Sequence, residues 1–322
     1  MKKKSTHTKQ WKGFWKIGKK ELNTHIFDIN DDEELVVREG NYQYNVHELV
    51  RKFGSSLEVF LPFVLEERLN GLFTIFGEKI KQAGYRGKFF YHYPMKVNQN
   101  KETVLTLVSE GAHLEVGSAN ELTLVKKLWE SASVNNKIRV LCNGPKTKTY
   151  VDLIFRMWDD HLSIVPIIED KEELNLFKEF RGDIGIRVNL QTKVRSHWDK
   201  KVDRFGLSAE EIFELGRVRN LKILHYHIGS QVERGADIIA VLKEAFFVYK
   251  KLRHSEKSGT VAVAIVIFEP ARKCFSASFF IVFGVIRGWS AYSTITFSAS
   301  PQAVLSARTA CPVPSCSSCT AY

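Results

Sequence analysis

The chain has 322 residues, 44% hydrophobic and 26% charged, with a formal net charge of +11. These proportions exclude a disordered, collagen-like or disulfide-framework chain and fit one large α/β domain, or one domain with additions. Residues 1–20 hold eight lysines and no acid, residues 258–322 add a net +3, and residues 21–257 are close to neutral, so the body carries no basic surface for duplex nucleic acid.

Taken in chain order, residues 1–53 read as a basic arm followed by short strands at 25–29 and 35–38. The turn-forming Asn30-Asp31-Asp32 splits those strands. Trp11, Phe14 and Trp15 have i, i+3, i+4 spacing on the arm, which suits docking on the body and is open to membrane or RNA contact. No apolar core of signal-peptide length follows the lysines, so a reduced, cytoplasmic chain is expected.

Residues 54–257 alternate apolar strands with amphipathic helices. Strands are predicted at 89–96, 113–116, 138–142, 164–168, 184–189 and 221–228. Each is followed by a predicted helix, at 101–110, 120–130, 151–158, 172–180, 209–218 and 236–252. Six βα units imply a parallel sheet covered by helices. An open dinucleotide-binding sheet wants a glycine-rich turn after its first strand. Here that turn is Lys96-Val97-Asn98-Gln99, with no glycine, which favours a (β/α) barrel. Barrel chemistry collects at the carboxyl ends of strands, where Lys96, Glu115, Asn143, Arg187 and His227 fall.

Lys96 ends an aromatic strand-like run, Phe89, Phe90, Tyr91, Tyr93, and an amide-rich turn follows. A lysine there either points into water or is kept partly dehydrated and reactive toward carbonyls. The distant run His225-Tyr226-His227-Ile228-Gly229-Ser230-Gln231 favours the second reading. A lysine at one strand end, with an imidazole and a Gly-Ser pair at another, suits pyridoxal phosphate. The amine joins the cofactor aldehyde, a planar side chain packs on the ring, and small residues let backbone amides meet the phosphate.

Several runs resemble a known family. They are His25-Ile26-Phe27-Asp28-Ile29-Asn30, Tyr93-Pro94-Met95-Lys96-Val97-Asn98-Gln99, Leu114-Glu115-Val116-Gly117-Ser118, Arg204-Phe205-Gly206-Leu207 and the run around His227. From about Trp15 to Leu252 the chain is similar to the amino-terminal part of the biosynthetic arginine decarboxylases. These are barrel-type, pyridoxal-phosphate-dependent enzymes, grouped with ornithine and diaminopimelate decarboxylases and related to alanine racemase. The resemblance implies that Lys96 binds the cofactor aldehyde, that His227 stacks on the ring, and that Gly229 and Ser230 meet the phosphate. It places Glu115 and Arg187 near the cofactor, although either could be half of a structural ion pair. His225 reads as a packing residue and Arg204 as a loop arginine. The implied reaction converts L-arginine to agmatine and carbon dioxide for polyamine (spermidine) synthesis, in a homo-oligomer with no nucleic-acid or membrane partner. Other members of the enzyme group, or a non-catalytic remnant, remain open. The family also implies Mg2+, but the sequence has no metal-ligand constellation.

Residues 258–322 break the pattern. They hold five charged residues and four of the five cysteines, and Cys316 and Cys319 lack partner ligands. The family's seventh-strand Gly-Gly-Gly loop, its eighth-strand acid motif and its carboxy-terminal β domain are not recognisable. Glu269-Pro270-Ala271-Arg272 imitates the acid motif too close to His227. The apolar runs at 261–268 and 275–286 are too short to cross a bilayer. The break suggests a change of reading frame near Lys257 or a misassembled gene end. The expectation is a barrel with six of its eight strands and open edges, residues 261–268 offering a seventh strand and nothing a good eighth, in a chain of poor stability that aggregates and has little or no activity.

Overall fold

The computed structural model describes residues 26–85, 87–131, 133, 137–194, 205–229, 232 and 234–255, and the strands at 262–266, 280–283, 292–296 and 306–310. The chain forms two compact units that divide after Val64. In the first, β1 (Phe27–Ile29), β2 (Leu35–Glu39) and β3 (Tyr42–Asn45) make an antiparallel sheet in that order. Asn30 forms the first turn, its Oδ1 accepting from the amides of Asp32 and Glu34 at 3.1 and 2.8 Å. Asn45 caps α1 (Val46–Phe53), its side chain accepting from the amides of His47 and Glu48. Ile26, Val37 and Phe63 form a small core. Helix α2 (Pro62–Gln82) leads into the second unit.

The second unit carries the six predicted βα repeats. Their strands are β4 (Phe89–Phe90) with β5 (His92–Pro94), β6 (His113–Val116), β7 (Arg139–Cys142), β8 (Ser163–Ile168), β9 (Ile184–Arg187) and β10 (Leu221–His227). Their helices are α3 (Lys101–Ser109), α4 (Ala119–Glu130), α5 (Lys148–Asp159), α6 (Lys171–Leu176), α7 (Ala209–Glu214) and α8 (Gly235–Ser255). Strands β5 to β10 pair in parallel, each with the next. Ser118, Thr147, Asp170 and Ser208 cap α4 to α7, each side chain accepting from the amide three residues on.

Two helices are shorter than their periodicity predicts. Helix α6 stops at Leu176, and Phe177 and Phe180 are buried in an aromatic cluster with Phe155 and Trp158. Helix α7 stops at Glu214, before Gly216 takes a φ of +63°.

Strand parity separates two cores. The outward positions Leu114, Val140, Ile164, Ile186, Leu224 and Tyr226 pack in the large core with the helices. The inward positions Leu141, Val165, Ile167 and Ile223 form a second core with Phe90. The period of two also points Glu115, Glu169, Arg187, His225 and His227 inward, above that apolar layer.

The tail corrects one expectation. Six strands alone leave the first and sixth as open edges, with residues 261–268 offered as a seventh strand and no good eighth. Instead β11 (Ala262–Val266) adds in parallel to β10, and β12 (Phe280–Phe283) pairs antiparallel to both β11 and β4. Because β4 and β5 are two halves of one run interrupted at Tyr91, the hydrogen-bonded strands return to their start. The barrel is still incomplete as a (β/α) structure. Its last strand runs the wrong way, and among the described residues no helix follows β11. Strands β13 (Tyr292–Thr296) and β14 (Ser306–Ala310) form a separate antiparallel pair. No helix among the described residues is long and apolar enough to cross a membrane.

Candidate active site

The turn after β5 presents Lys96. Met95 is buried and its amide donates to Glu115 O at 2.9 Å, so the chain stays paired up to the residue before the lysine. Tyr93 Oη donates to Asn98 O at 3.0 Å and closes the turn. Gln99 Nε2 donates to Glu121 Oε1 at 2.9 Å, while Glu121 Oε2 accepts from the Gly117 amide at 2.7 Å. One buried carboxylate on α4 therefore ties the lysine turn to the turn after β6.

Glu115 is buried on the inward face of β6. Its Oε1 accepts from Asn143 Nδ2 at 3.3 Å, and its Oε2 lies 3.6 Å from His225 Nε2, beyond hydrogen-bond length. Burial lowers the pKa of His225, and Glu115 opposes that shift by favouring the cation. Deeper in the interior, His92 sits with its ring centroid 5.0 Å from that of His113. Burial holds His92 well below the ordinary imidazole range and pushes His113 down to about 4, helped by the charge of Arg139.

The loop after β7 is built for close approach. Gly144 has a φ of +75°, and a Cβ there would overlap the carbonyl oxygen of Gly117. Lys146, with no side-chain exposure, donates to Gly144 O at 2.7 Å, to Ile167 O, and to Glu173 Oε2 at 3.3 Å. Burial lowers its pKa, and Glu173 and Glu169 oppose that shift. At the end of β8, Glu169 Oε1 accepts from the Gly144 amide at 2.9 Å and from Arg187 Nη1 at 3.1 Å. Arg187 thus has an ionic partner, one of the two readings left open by its position. His227 ends β10 half-buried, its Nδ1 accepting from the Gly229 amide at 3.0 Å. Gly229 is buried with a φ of +120°.

Lys96, Glu115, Arg187, His227 and Gly229 therefore all lie at the carboxyl end of the parallel sheet. Ser230, Arg204, Glu269, the basic arm through residue 20 and the pair Cys316 and Cys319 lie outside the described residues. His225, read as a packing residue, is fully buried but also faces Glu115. Glu169 and Lys146 were missed. The signal for Glu169 was available, since Val165, Ile167 and Glu169 share one parity at a strand end.

Among the described residues, several buried polar atoms on this face have no hydrogen-bond partner. They are Glu115 Oε2, Asn143 Oδ1, Glu169 Oε2 and both ring nitrogens of His225; those of His92, deeper in the interior at the start of β5, are also unpartnered. Buried polar atoms are normally satisfied, so those beyond the Glu115–His225 pair are available to a polar ligand or to water. Among the described residues no group of His, Cys, Asp or Glu is arranged to hold a metal ion.

A family model for the pyridoxal-dependent decarboxylases, describing their pyridoxal-binding domain, matches residues 78–262. The chain belongs to this family. It is similar to the biosynthetic arginine decarboxylase of Bacteroides thetaiotaomicron, 29% identical over 256 residues that cover 71% of this chain and 40% of the relative. The chain therefore spans well under half the length of that decarboxylase. Among solved structures, the biosynthetic arginine decarboxylase of Campylobacter jejuni superposes with a TM-score of 0.66 at 23% identity, over 81% of this chain and 45% of the other. The diaminopimelate decarboxylase of M. jannaschii superposes with a TM-score of 0.61 at 20% identity, over 80% and 60%. Both likenesses establish the decarboxylase barrel fold. The family match begins inside α2, runs through all six βα units, and ends at the first residue of β11.

Proposed function

We propose that this chain binds pyridoxal 5'-phosphate at the carboxyl ends of its parallel strands, and that its reaction is the decarboxylation of L-arginine to agmatine and carbon dioxide. The observation that carries the binding site is the cluster of unpartnered buried polar atoms of Glu115, Asn143, Glu169 and His225 at the end of the sheet where Lys96 and His227 emerge. The arginine assignment is supported by the relatives named biosynthetic arginine decarboxylase. When bound, the cofactor supplies an electron sink for the pair left when the carboxylate departs.

In this reading Lys96 Nζ holds the cofactor and is the amine that moves protons beside it. The His227 imidazole covers one face of the ring, with its Nδ1 fixed by the Gly229 amide. Gly229 and Ser230 meet the phosphate. Glu115 on β6 and Arg187 on β9, with β7 and β8 between them, face the ring, and the buried Glu115 keeps its carboxylate away from bulk water. Mg2+ stays an implication of the resemblance, with no residue of this chain assigned to it. A homo-oligomer in the cytoplasm, supplying polyamine synthesis, completes the reading.

One observation favours weak or absent turnover by this chain. In the resemblance, the eighth strand runs parallel and delivers an acid at the site. Here the strand beside β4 is antiparallel, so Phe280 lies level with Val266 and Phe283 lies beside Phe89. Reduction with borohydride after incubation with the cofactor, followed by peptide mass mapping, tests the binding site. The expected label is on Lys96, and Lys96→Ala abolishes it. A label on another lysine, or none, would overturn the assignment. Carbon dioxide release from arginine, ornithine, lysine and diaminopimelate then tests the substrate; whatever turnover the chain retains is expected with arginine alone.

A further inference from the structure

We propose that Glu169 is a positioning residue that orients the guanidinium of Arg187 toward the bound cofactor, a role that rests on the cofactor reading above. Three observations carry it. Glu169 Oε1 accepts from both Arg187 Nη1 and the Gly144 amide, at 3.1 and 2.9 Å, so one oxygen joins the ends of β7, β8 and β9. An arginine has five N–H donors in one plane, and this bond uses one while fixing the plane of the others.

The second observation is an aromatic contact with the same guanidinium. The Phe205 ring centroid is 5.1 Å from the Arg187 guanidinium carbon, within cation–π range. Its loop is stitched to β9, because Leu207 N donates to Arg187 O at 2.9 Å and Asn189 N donates to Leu207 O at 2.8 Å. Gly206 allows this approach. Its φ is +88°, and a Cβ there would press on Arg187 Cγ and O, both at 3.0 Å. The Phe205-Gly206-Leu207 run thus forms the second wall of a clamp around Arg187.

The third observation is that Glu169 is itself braced without being saturated. Its amide donates to Glu173 Oε2 at 2.9 Å, and Glu173 Oε1 accepts from the Lys146 amide at 2.8 Å. Yet Glu169 Oε2 is buried with no hydrogen-bond partner among the described residues. A carboxylate serving only the scaffold would have both oxygens satisfied. A clamped arginine loses less rotamer freedom when it meets a ligand acceptor, which is the gain that Glu169 supplies.

The test is a set of cofactor dissociation constants from absorbance titration of pyridoxal 5'-phosphate, with borohydride trapping on Lys96 as the parallel readout. Glu169→Ala is expected to weaken binding about 10-fold or more while leaving the label on Lys96. Glu169→Gln retains an acceptor for Arg187 and the Gly144 amide, and is expected to restore part of that loss. In an Arg187→Ala background, Glu169→Ala is expected to add less than about 2-fold, because a residue acting through Arg187 has nothing left to position. A full further loss in that background, or wild-type binding by Glu169→Ala, would overturn the proposal while leaving the cofactor reading intact. Absence of a Lys96 label in the unsubstituted chain would overturn both.

Discussion

Gly144→Ala isolates the contact on which the site is assembled. Two penalties act at this position. The φ of +75° is left-handed, which costs an L-residue about 1–2 kcal/mol. The added Cβ would also overlap Gly117 O and stand 3.1 Å from Gly117 C, and neither backbone atom can rotate away. Relieving such an overlap by moving a packed backbone costs a further ~1–3 kcal/mol. Gly216→Ala is the internal control, because its φ of +63° carries the first penalty while nothing lies within 4 Å of the added carbon. Urea unfolding of both variants, followed by far-ultraviolet circular dichroism, should place Gly144→Ala at ~2–5 kcal/mol of destabilisation and Gly216→Ala at ~1–2 kcal/mol. Equal losses would mean that the turns after β6 and β7 do not approach as described. The reasoning would then fail for the Gly144 amide that reaches Glu169 as well.

Acid sensitivity should come first from the interior histidines. Burial lowers the pKa of His92 and His225 and pushes His113 to about 4, below the unfolded value of 6.5. The unfolded chain then binds more protons than the folded one. Stability is full above about pH 6.5 and falls as pH drops toward 4, by up to ~1.4 kcal/mol per pH unit for each histidine. Urea midpoints unchanged between pH 7.5 and 4.5 would contradict this. Lys146→Ala should destabilise by ~3–5 kcal/mol in thermal or urea unfolding, since it leaves Glu173 buried without its cation. Lys146→Ala with Glu173→Gln should recover part of that loss, and an unrecovered double variant would point to the backbone bonds of Lys146 instead.

The parts of the site that sequence pattern reveals are those that depend on period. Apolar runs of strand length between amphipathic helices located β6 to β10 and therefore their carboxyl ends, because both faces of these strands are buried, one against helices and the other in a filled interior. The Lys96 and His227 turns were legible for the same reason, and because their residue types are unusual beside aromatic strands. Glu169 was not singled out, since it precedes Asp170-Lys171-Glu172-Glu173 and reads as one more acid at a helix start. The period of two already turns Glu169 inward with Val165 and Ile167, but its partner Arg187 lies eighteen residues away in sequence. The clamp by Phe205 was equally hidden, because Gly206 looks like any loop glycine until the loop is laid on β9.

Closure of the sheet and completion of the site are separate physical problems in this chain. An edge strand needs only a partner with free N–H and C=O groups, and a parallel or an antiparallel neighbour satisfies it. The continuous apolar runs of β11 and β12 meet that need without family pattern, which is why an atypical composition still yields strands. The site has a stricter requirement, because a strand contributes to it only through the loop at its carboxyl end. Strand β11 ends level with His227 through the Val266 pairing, so it is oriented to contribute. Strand β12 faces the other way, and its direction places its carboxyl end beside the start of β4. A chain of this kind should resist unfolding better than it holds a cofactor. If cofactor affinity matched that of full-length relatives measured side by side, the direction of β12 would have no bearing on the site.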